Sequence, residues 1–221
     1  NIGIKQDGSV FCWGEWGWYF NPLFPEDFIA SKVCAGNEHI SIVGEQNGRV
    51  YCVGEEEDCE GAPSAENFIQ VDAGESHTVG LVEEGLIYCW GKNQFGQCES
   101  PKGLIAKSVA SGSFHSMALS LDGHITCWGS NSFGQCDAPS DTVFAQVSGG
   151  MFHSVGLTQD GVITCWGLNN FGQCDAPAGD GFIMVDAGTW HSVAIASDGT
   201  AHCWGRNDQG QCDIPEGAKF S

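Results

Sequence analysis

A unit of about 38 residues recurs along the whole chain, and few folds accommodate such a period. The glycine that closes each C-W-G or C-V-G triplet falls at Gly14, Gly54, Gly91, Gly129, Gly167 and Gly205, with spacings of 40, 37, 38, 38 and 38 residues. His39, His77, His115, His153 and His191 follow one another at intervals of 38. A typical unit starts with an apolar run ending in V-x-A-G or V-x-G-G. It continues through x-x-H, an alternating segment, Asp-Gly and C-W-G, and closes with N-x-F-G-Q-C-D-x-P. Alternation in 154–158 and 162–166, with Asp160-Gly161 between them, predicts two strands joined by a tight hairpin. Asp7-Gly8, Asn47-Gly48, Asp122-Gly123 and Asp198-Gly199 predict the same turn elsewhere. Each unit therefore holds three or four short strands, and Pro101, Pro139, Pro177 and Pro215 stop pairing at the outer edge.

Units of this size bury their faces by stacking on neighbours, and radial stacking makes a β-propeller. The expected fold is an all-β propeller of six blades, or seven in a longer natural chain, forming a single domain over residues 1–221. Superposing the last unit on the one before leaves one strand, about eight residues, unaccounted for between the two ends. The expectation is a longer natural chain or a strand supplied by a partner. The start at Asn1, with no basic and apolar leader before the first strand, reads as a processed end.

Residues 185–212, V-D-A-G-T-W-H-S-V-A-I-A-S-D-G-T-A-H-C-W-G-R-N-D-Q-G-Q-C, resemble the repeat of the regulator of chromosome condensation superfamily, and six copies cover nearly the whole sequence. The resemblance implies the propeller. It leaves function open, because such propellers serve as nucleotide exchange factors, as secreted inhibitors of β-lactamases and in extracellular proteins of other kinds.

Twelve cysteines narrow the setting. Cys89 and Cys98, Cys127 and Cys136, Cys165 and Cys174, and Cys203 and Cys212 are pairs nine residues apart; Cys52 and Cys59 form a shorter one. In each pair the first cysteine ends a strand and the second follows a glycine turn, which brings them within disulfide reach. Closing a ten-residue loop contributes roughly 2.5 to 3 kcal/mol. Cys12 and Cys34 are left to pair by exclusion. Zinc sites need two such pairs converging, whereas these stand one per blade, so no metal is expected. Disulfides in this number point to an extracellular or cell-surface protein.

Net charge of −20 repels phosphate backbones and anionic lipid, which argues against nucleic-acid and membrane partners. No apolar run reaches the length of a transmembrane helix. The repeated histidines read as structural, since a residue demanded once per blade satisfies local needs, and a catalytic triad is not built from positions that every unit shares. Trp13, Trp90, Trp128, Trp166 and Trp204 read as core, and Phe95, Phe133 and Phe171 as structural because they repeat. Asp137, Asp175, Asp213 and Glu99 follow the second cysteine and admit weak Ca²⁺ binding or, more simply, turn capping. The acidic run from Glu55 to Glu60 reads as a solvated loop or a surface for a basic partner.

Two aromatic groups stand out as candidate binding residues. Trp16, Trp18, Tyr19, Phe20 and Phe24 replace the usual loop of the first unit. Phe114, Phe152 and Trp190 precede the repeated histidine, in a slot held by Glu38 and Ser76 in earlier units; it is similar to where propeller-type β-lactamase inhibitors present aromatics. The expected function is a non-catalytic extracellular module, without cofactor, that binds a protein partner or assembles with further copies. A lectin-like carbohydrate binder and an inhibitor of an extracellular enzyme are the alternatives.

Overall fold

The computed structural model describes residues 1–14, 28–215 and 217–220. The aromatic segment with Trp16, Trp18, Tyr19, Phe20 and Phe24 lies outside the described residues. The chain forms a six-bladed β-propeller. Blade 1 is the two-stranded sheet β1 (Ile2–Ile4) and β2 (Val10–Cys12). Blade 2 contains β3 (Ala30–Ala35), β4 (His39–Gly44) and β5 (Val50–Gly54), followed by one helical turn, α1 (Glu56–Cys59). Blade 3 is β6 (Phe68–Ala73), β7 (His77–Val82) and β8 (Ile87–Gly91), and blade 4 is β9 (Ser108–Ser111), β10 (His115–Leu119) and β11 (Ile125–Gly129). Blade 5 is β12 (Phe144–Gly149), β13 (His153–Thr158) and β14 (Ile163–Gly167); blade 6 is β15 (Phe182–Ala187), β16 (His191–Ala196) and β17 (Ala201–Gly205). Blades 2 to 6 are antiparallel three-stranded meanders. In blades 3 to 6 the segment corresponding to N-x-F-G-Q-C-D-x-P makes turns and coil, so among the described residues no fourth strand forms there.

Local chemistry accounts for the meanders. Between β13 and β14 the Gly161 N–H donates to the Thr158 carbonyl (3.1 Å), the Thr158 N–H donates to Val162 (3.0 Å), and Gly161 takes φ of 77°. This is a three-residue loop whose last position is left-handed, where an L side chain is strained and glycine is not.

The core lies between blades. Middle strands β4, β7 and β10 are buried at every residue because neighbouring blades cover both faces. Val79 and Leu81 of blade 3 pack on Val109, Ala118 and Trp128 of blade 4; Met117 and Leu119 then pack on Phe144, Val147 and Trp166 of blade 5. A fully buried side chain such as Phe144 contributes roughly 1.5 to 3 kcal/mol. Trp90, Trp128 and Trp166 are core as expected, and Trp204 is half-buried. Trp13 is not: it stays 48% exposed, stacked on Phe11 at 6.0 Å. Trp128, Trp166 and Trp204 each donate from Nε1 to a carbonyl of the preceding blade's loop, at Gln97, Gln135 and Gln173 (2.8 to 2.9 Å), and no described residue offers Trp13 that acceptor.

Strands β3, β6, β9, β12 and β15 succeed one another around the axis. Side chains splice them together. The Gln70 amide donates to the Val109 carbonyl (2.7 Å) and accepts from its N–H (3.1 Å), and Gln146 does the same for Val185. Asp72 accepts from the N–H groups of Ser111 (2.8 Å) and Ala73 (3.1 Å). Burial nevertheless raises its pKa to about 6.

Three of the expected disulfides are present, Cys52–Cys59, Cys127–Cys136 and Cys203–Cys212. Cys89 and Cys98, and Cys165 and Cys174, are not bridged, and Cys34 is a thiol near the Ser41 carbonyl (3.6 Å), so the Cys12–Cys34 bridge is absent. Spacing brings two sulfurs together but does not determine their oxidation state. In each unbridged blade pair the two thiols interact, while the first donates to the loop carbonyl of Gln97 (3.3 Å) or Gln173 (3.5 Å). That interaction, with burial, pushes Cys89 and Cys165 up, and it draws Cys98 and Cys174 below the ordinary thiol range. Cys98 and Cys174 are therefore expected to alkylate first when the folded protein is treated with iodoacetamide near pH 8. Peptide mapping in which Cys89 and Cys165 are labelled first would contradict this.

Candidate binding face

The repeated histidines tie blades together. His77, His115 and His153 are fully buried, and each Nε2 meets the hydroxyl of the next blade's Ser116, Ser154 or Ser192 at 2.9 Å. Those hydroxyls donate to the carbonyls of Gln97, Gln135 and Gln173, so each must accept from Nε2–H. The neutral Nε2 tautomer follows, with Nδ1 buried and unpartnered. Burial lowers the pKa of His77 and His153 to about 4 and of His115 to about 3.

Blade 2 departs from this pattern. Asp58, fully buried, stands where other blades have the loop glutamine, and its Oδ2 lies 3.6 Å from His39 Nδ1 while Oδ1 lies 3.2 Å from Lys92 Nζ. On the other side His39 Nε2 meets Thr78 Oγ1 at 3.0 Å. Hydroxyl, imidazole and carboxylate thus stand in the order of a catalytic triad. Thr78 and Asp58 have no exposed surface and His39 has 1%, so the hydroxyl cannot reach a substrate, and the set reads as an interblade brace.

Above the histidines, the turns after the inner strands ring the mouth of the central channel. Asn37 N–H donates to the Glu75 carbonyl (2.9 Å), Glu75 to Ser113 (3.3 Å), Ser113 to Gly150 (3.1 Å) and Met151 to Thr189 (3.2 Å). This belt frames a cavity of about 550 Å³ lined largely by glycine, alanine and serine. Among the described residues no cluster of histidine, cysteine and carboxylates has metal-binding geometry. Asp137, Asp175 and Asp213 each hold the Nδ2 of an asparagine (2.8 Å) whose Oδ1 caps the following turn, which is the capping alternative.

Immediately outside the belt lie Phe114, Phe152 and Trp190, and the structure brings them together: Phe114 to Phe152 and Phe152 to Trp190 are both 5.6 Å between ring centroids. Phe95, Phe133 and Phe171, read from the sequence as structural, join the same array at 5.4, 4.9 and 5.5 Å from Phe114, Phe152 and Trp190. They are its most exposed members, at 54%, 48% and 48%. Each loop phenylalanine precedes its slot partner by 19 residues, half the repeat, a spacing visible in the sequence. The six rings make a continuous arc over blades 3 to 6, with Arg206 over Phe171 at its end (5.4 Å to the ring centroid).

Fold and face together define a propeller of short disulfide-bearing repeats with an aromatic rim beside its channel mouth. Residues 68–97, 106–135, 144–173 and 183–211, just over half of the chain, match the regulator of chromosome condensation (RCC1) repeat, and the protein belongs to that repeat family. A stretch of 36 residues is 39% identical to the X-linked retinitis pigmentosa GTPase regulator homolog of Caenorhabditis elegans, covering 16% of this chain and 3% of that protein. The ectodomain of the Physcomitrella patens receptor kinase CR4 superposes with a TM-score of 0.77 at 24% identity, over 92% of this chain and 60% of that one. Yeast RCC1 (Prp20), solved with Kap60 bound, superposes with a TM-score of 0.78 at 20% identity, over 100% of this chain and 70% of that one. At these identities the likeness establishes the fold.

Proposed function

We propose that the protein is a non-catalytic extracellular module that captures a protein partner on the face bearing the aromatic arc. The carrying observation is the arc itself: six rings joined in a chain of contacts, three of them about half exposed, beside the backbone belt at the channel mouth. A contiguous apolar patch is costly to leave in water, and rigid aromatics supply the large contact areas that dominate protein interfaces. An extracellular setting is supported by three disulfides. The similarity in fold to a receptor-kinase ectodomain agrees with it.

Phe133→Ser with Phe171→Ser tests the reading. Neither ring belongs to a buried core cluster, so the circular dichroism spectrum should not change. Capture of proteins from the extracellular fraction of the source on the immobilised double variant is expected to fall at least about tenfold. Undiminished capture of the same proteins would remove the arc from the binding site.

A further inference from the structure

The aromatic arc occupies the part of the face formed by blades 3 to 6, and the same structural positions in blade 2 carry acids. Glu38 fills the slot of Phe114, Phe152 and Trp190. The turn α1, with Glu55, Glu56 and Glu57 around its start, replaces the loops that carry Phe95, Phe133 and Phe171. The backbone is joined alike in both settings: Glu55 N–H donates to the Glu38 carbonyl (3.1 Å), as Ser130 does to Phe114 (2.9 Å) and Leu168 to Phe152 (2.8 Å). Acids and rings therefore stand at one level of the ring, on one face. Glu38, Glu55, Glu56, Glu57 and Glu60 are exposed, and Glu75 lies on the channel mouth between them and the arc. Lys92, at this boundary, is held by Asp58 (3.2 Å) and Glu57 (3.6 Å), and its pKa is raised chiefly by the hydrogen bond to Asp58. Among the described residues Glu38, Glu55, Glu56 and Glu60 form no ion pair.

Resting on the aromatic reading above, we infer that the partner is a protein segment that combines a row of apolar side chains with a cluster of lysines or arginines. Its apolar row lies on the rings of blades 4 to 6, and its basic cluster on the glutamates of blade 2. Two properties of the face select this occupant. The rings require apolar contact, while exposed carboxylates in a chain of net charge −20 attract a cation and repel an acidic segment or a second copy of the same face.

The test uses the whole chain and a fluorescein-labelled synthetic peptide in which a run of lysines adjoins regularly spaced leucines, read by anisotropy at low and high salt. Two control peptides carry glutamate for every lysine and serine for every leucine. The lysine–leucine peptide is expected to bind and both controls to bind at least about tenfold more weakly. Glu55→Gln with Glu56→Gln, whose side chains cap nothing and touch no core, should weaken binding roughly tenfold and flatten its salt dependence. Phe133→Ser with Phe171→Ser should weaken binding by a similar factor with the salt dependence kept. Equal binding of the lysine and glutamate peptides, indifference to the glutamine variant, or no binding of any peptide overturns the basic-partner inference. Indifference to the serine variant alone overturns the aromatic reading instead. Equal binding of the peptide without leucines shows attraction by charge only and also overturns the two-part occupant.

Discussion

Gly112→Ala is expected to destabilise the protein by about 4 kcal/mol, more than any single truncation of an exposed ring. A Cβ at this position would stand 2.1 Å from Cε1 and 2.5 Å from Nδ1 of His115, and 2.4 Å from the Gly150 carbonyl oxygen. Neither neighbour can yield cheaply. The imidazole is fully buried and tied to Ser154, so turning it away forfeits a hydrogen bond worth about 1 kcal/mol and leaves a buried hydroxyl short of a partner. The Gly150 carbonyl accepts the Ser113 N–H in the belt, so displacing it opens the ring joint between blades 4 and 5. Gly36, Gly74, Gly150 and Gly188 meet the same pair of obstacles, the blade's own histidine and, for all but the last, the next glycine carbonyl. Gly103→Ala is the matched control: it adopts a positive φ of 77° but has nothing within 4 Å, so it should cost only about 1 kcal/mol of left-handed strain. Urea unfolding followed by tryptophan fluorescence measures both. A loss at Gly112 no larger than at Gly103 would mean that the joints between blades relax freely and that the belt is not a rigid frame for the arc.

The same glycine shows what the sequence made legible. V-x-x-G followed three residues later by histidine recurs in register, and periodicity alone marks both residues as structural and the architecture as a propeller. The physical reason was hidden, because Gly112 faces His115 within its own turn, whereas Gly112 meets the Gly150 carbonyl and His115 meets Ser154 only across a blade boundary. The candidate face was half legible. Phe114, Phe152 and Trp190 stand out in the sequence because their slot varies between units, whereas Phe95, Phe133 and Phe171 read as structural because theirs repeats. Repetition shows that a position is used alike in each unit, not that it is buried, and here it is used alike at the surface. Asp58 was legible as one acid in an acidic run, and its burial within α1, between His39 and Lys92, was not. Its burial depends on where the shortened Cys52–Cys59 loop places the residue before the second cysteine, which is the loop glutamine's place.

The neutral buried histidines also make stability fall on acidification, with a size that can be stated. An ordinary histidine titrates near 6.5, but burial, which disfavours the charged imidazolium, places His77 and His153 at about 4 and His115 at about 3 in the fold. The unfolded chain therefore binds these protons first. The contribution of each group is complete above pH 6.5 and is lost as the pH falls, amounting to about 3 kcal/mol per histidine by pH 4. Asp72 acts in the opposite sense. Its folded pKa of about 6 exceeds the usual 3.8, so the fold takes up that proton first and regains roughly 2 kcal/mol over the same interval. The histidines prevail because three outweigh one, leaving a net loss of about 7 kcal/mol by pH 4, within the range of a whole domain's stability. The urea midpoint should stay flat from pH 8 to 7 and then drop steeply between 6.5 and 4. In His115→Gln the amide still donates to Ser154 but cannot titrate, and the acid limb should be shallower by a little under half. A midpoint that rises from pH 7 to 5 would show that relief of repulsion among the excess acids, together with Asp72, outweighs the histidine ring. A fold whose blades are joined by neutral imidazoles thus keeps its stability near neutral pH and loses it on acidification.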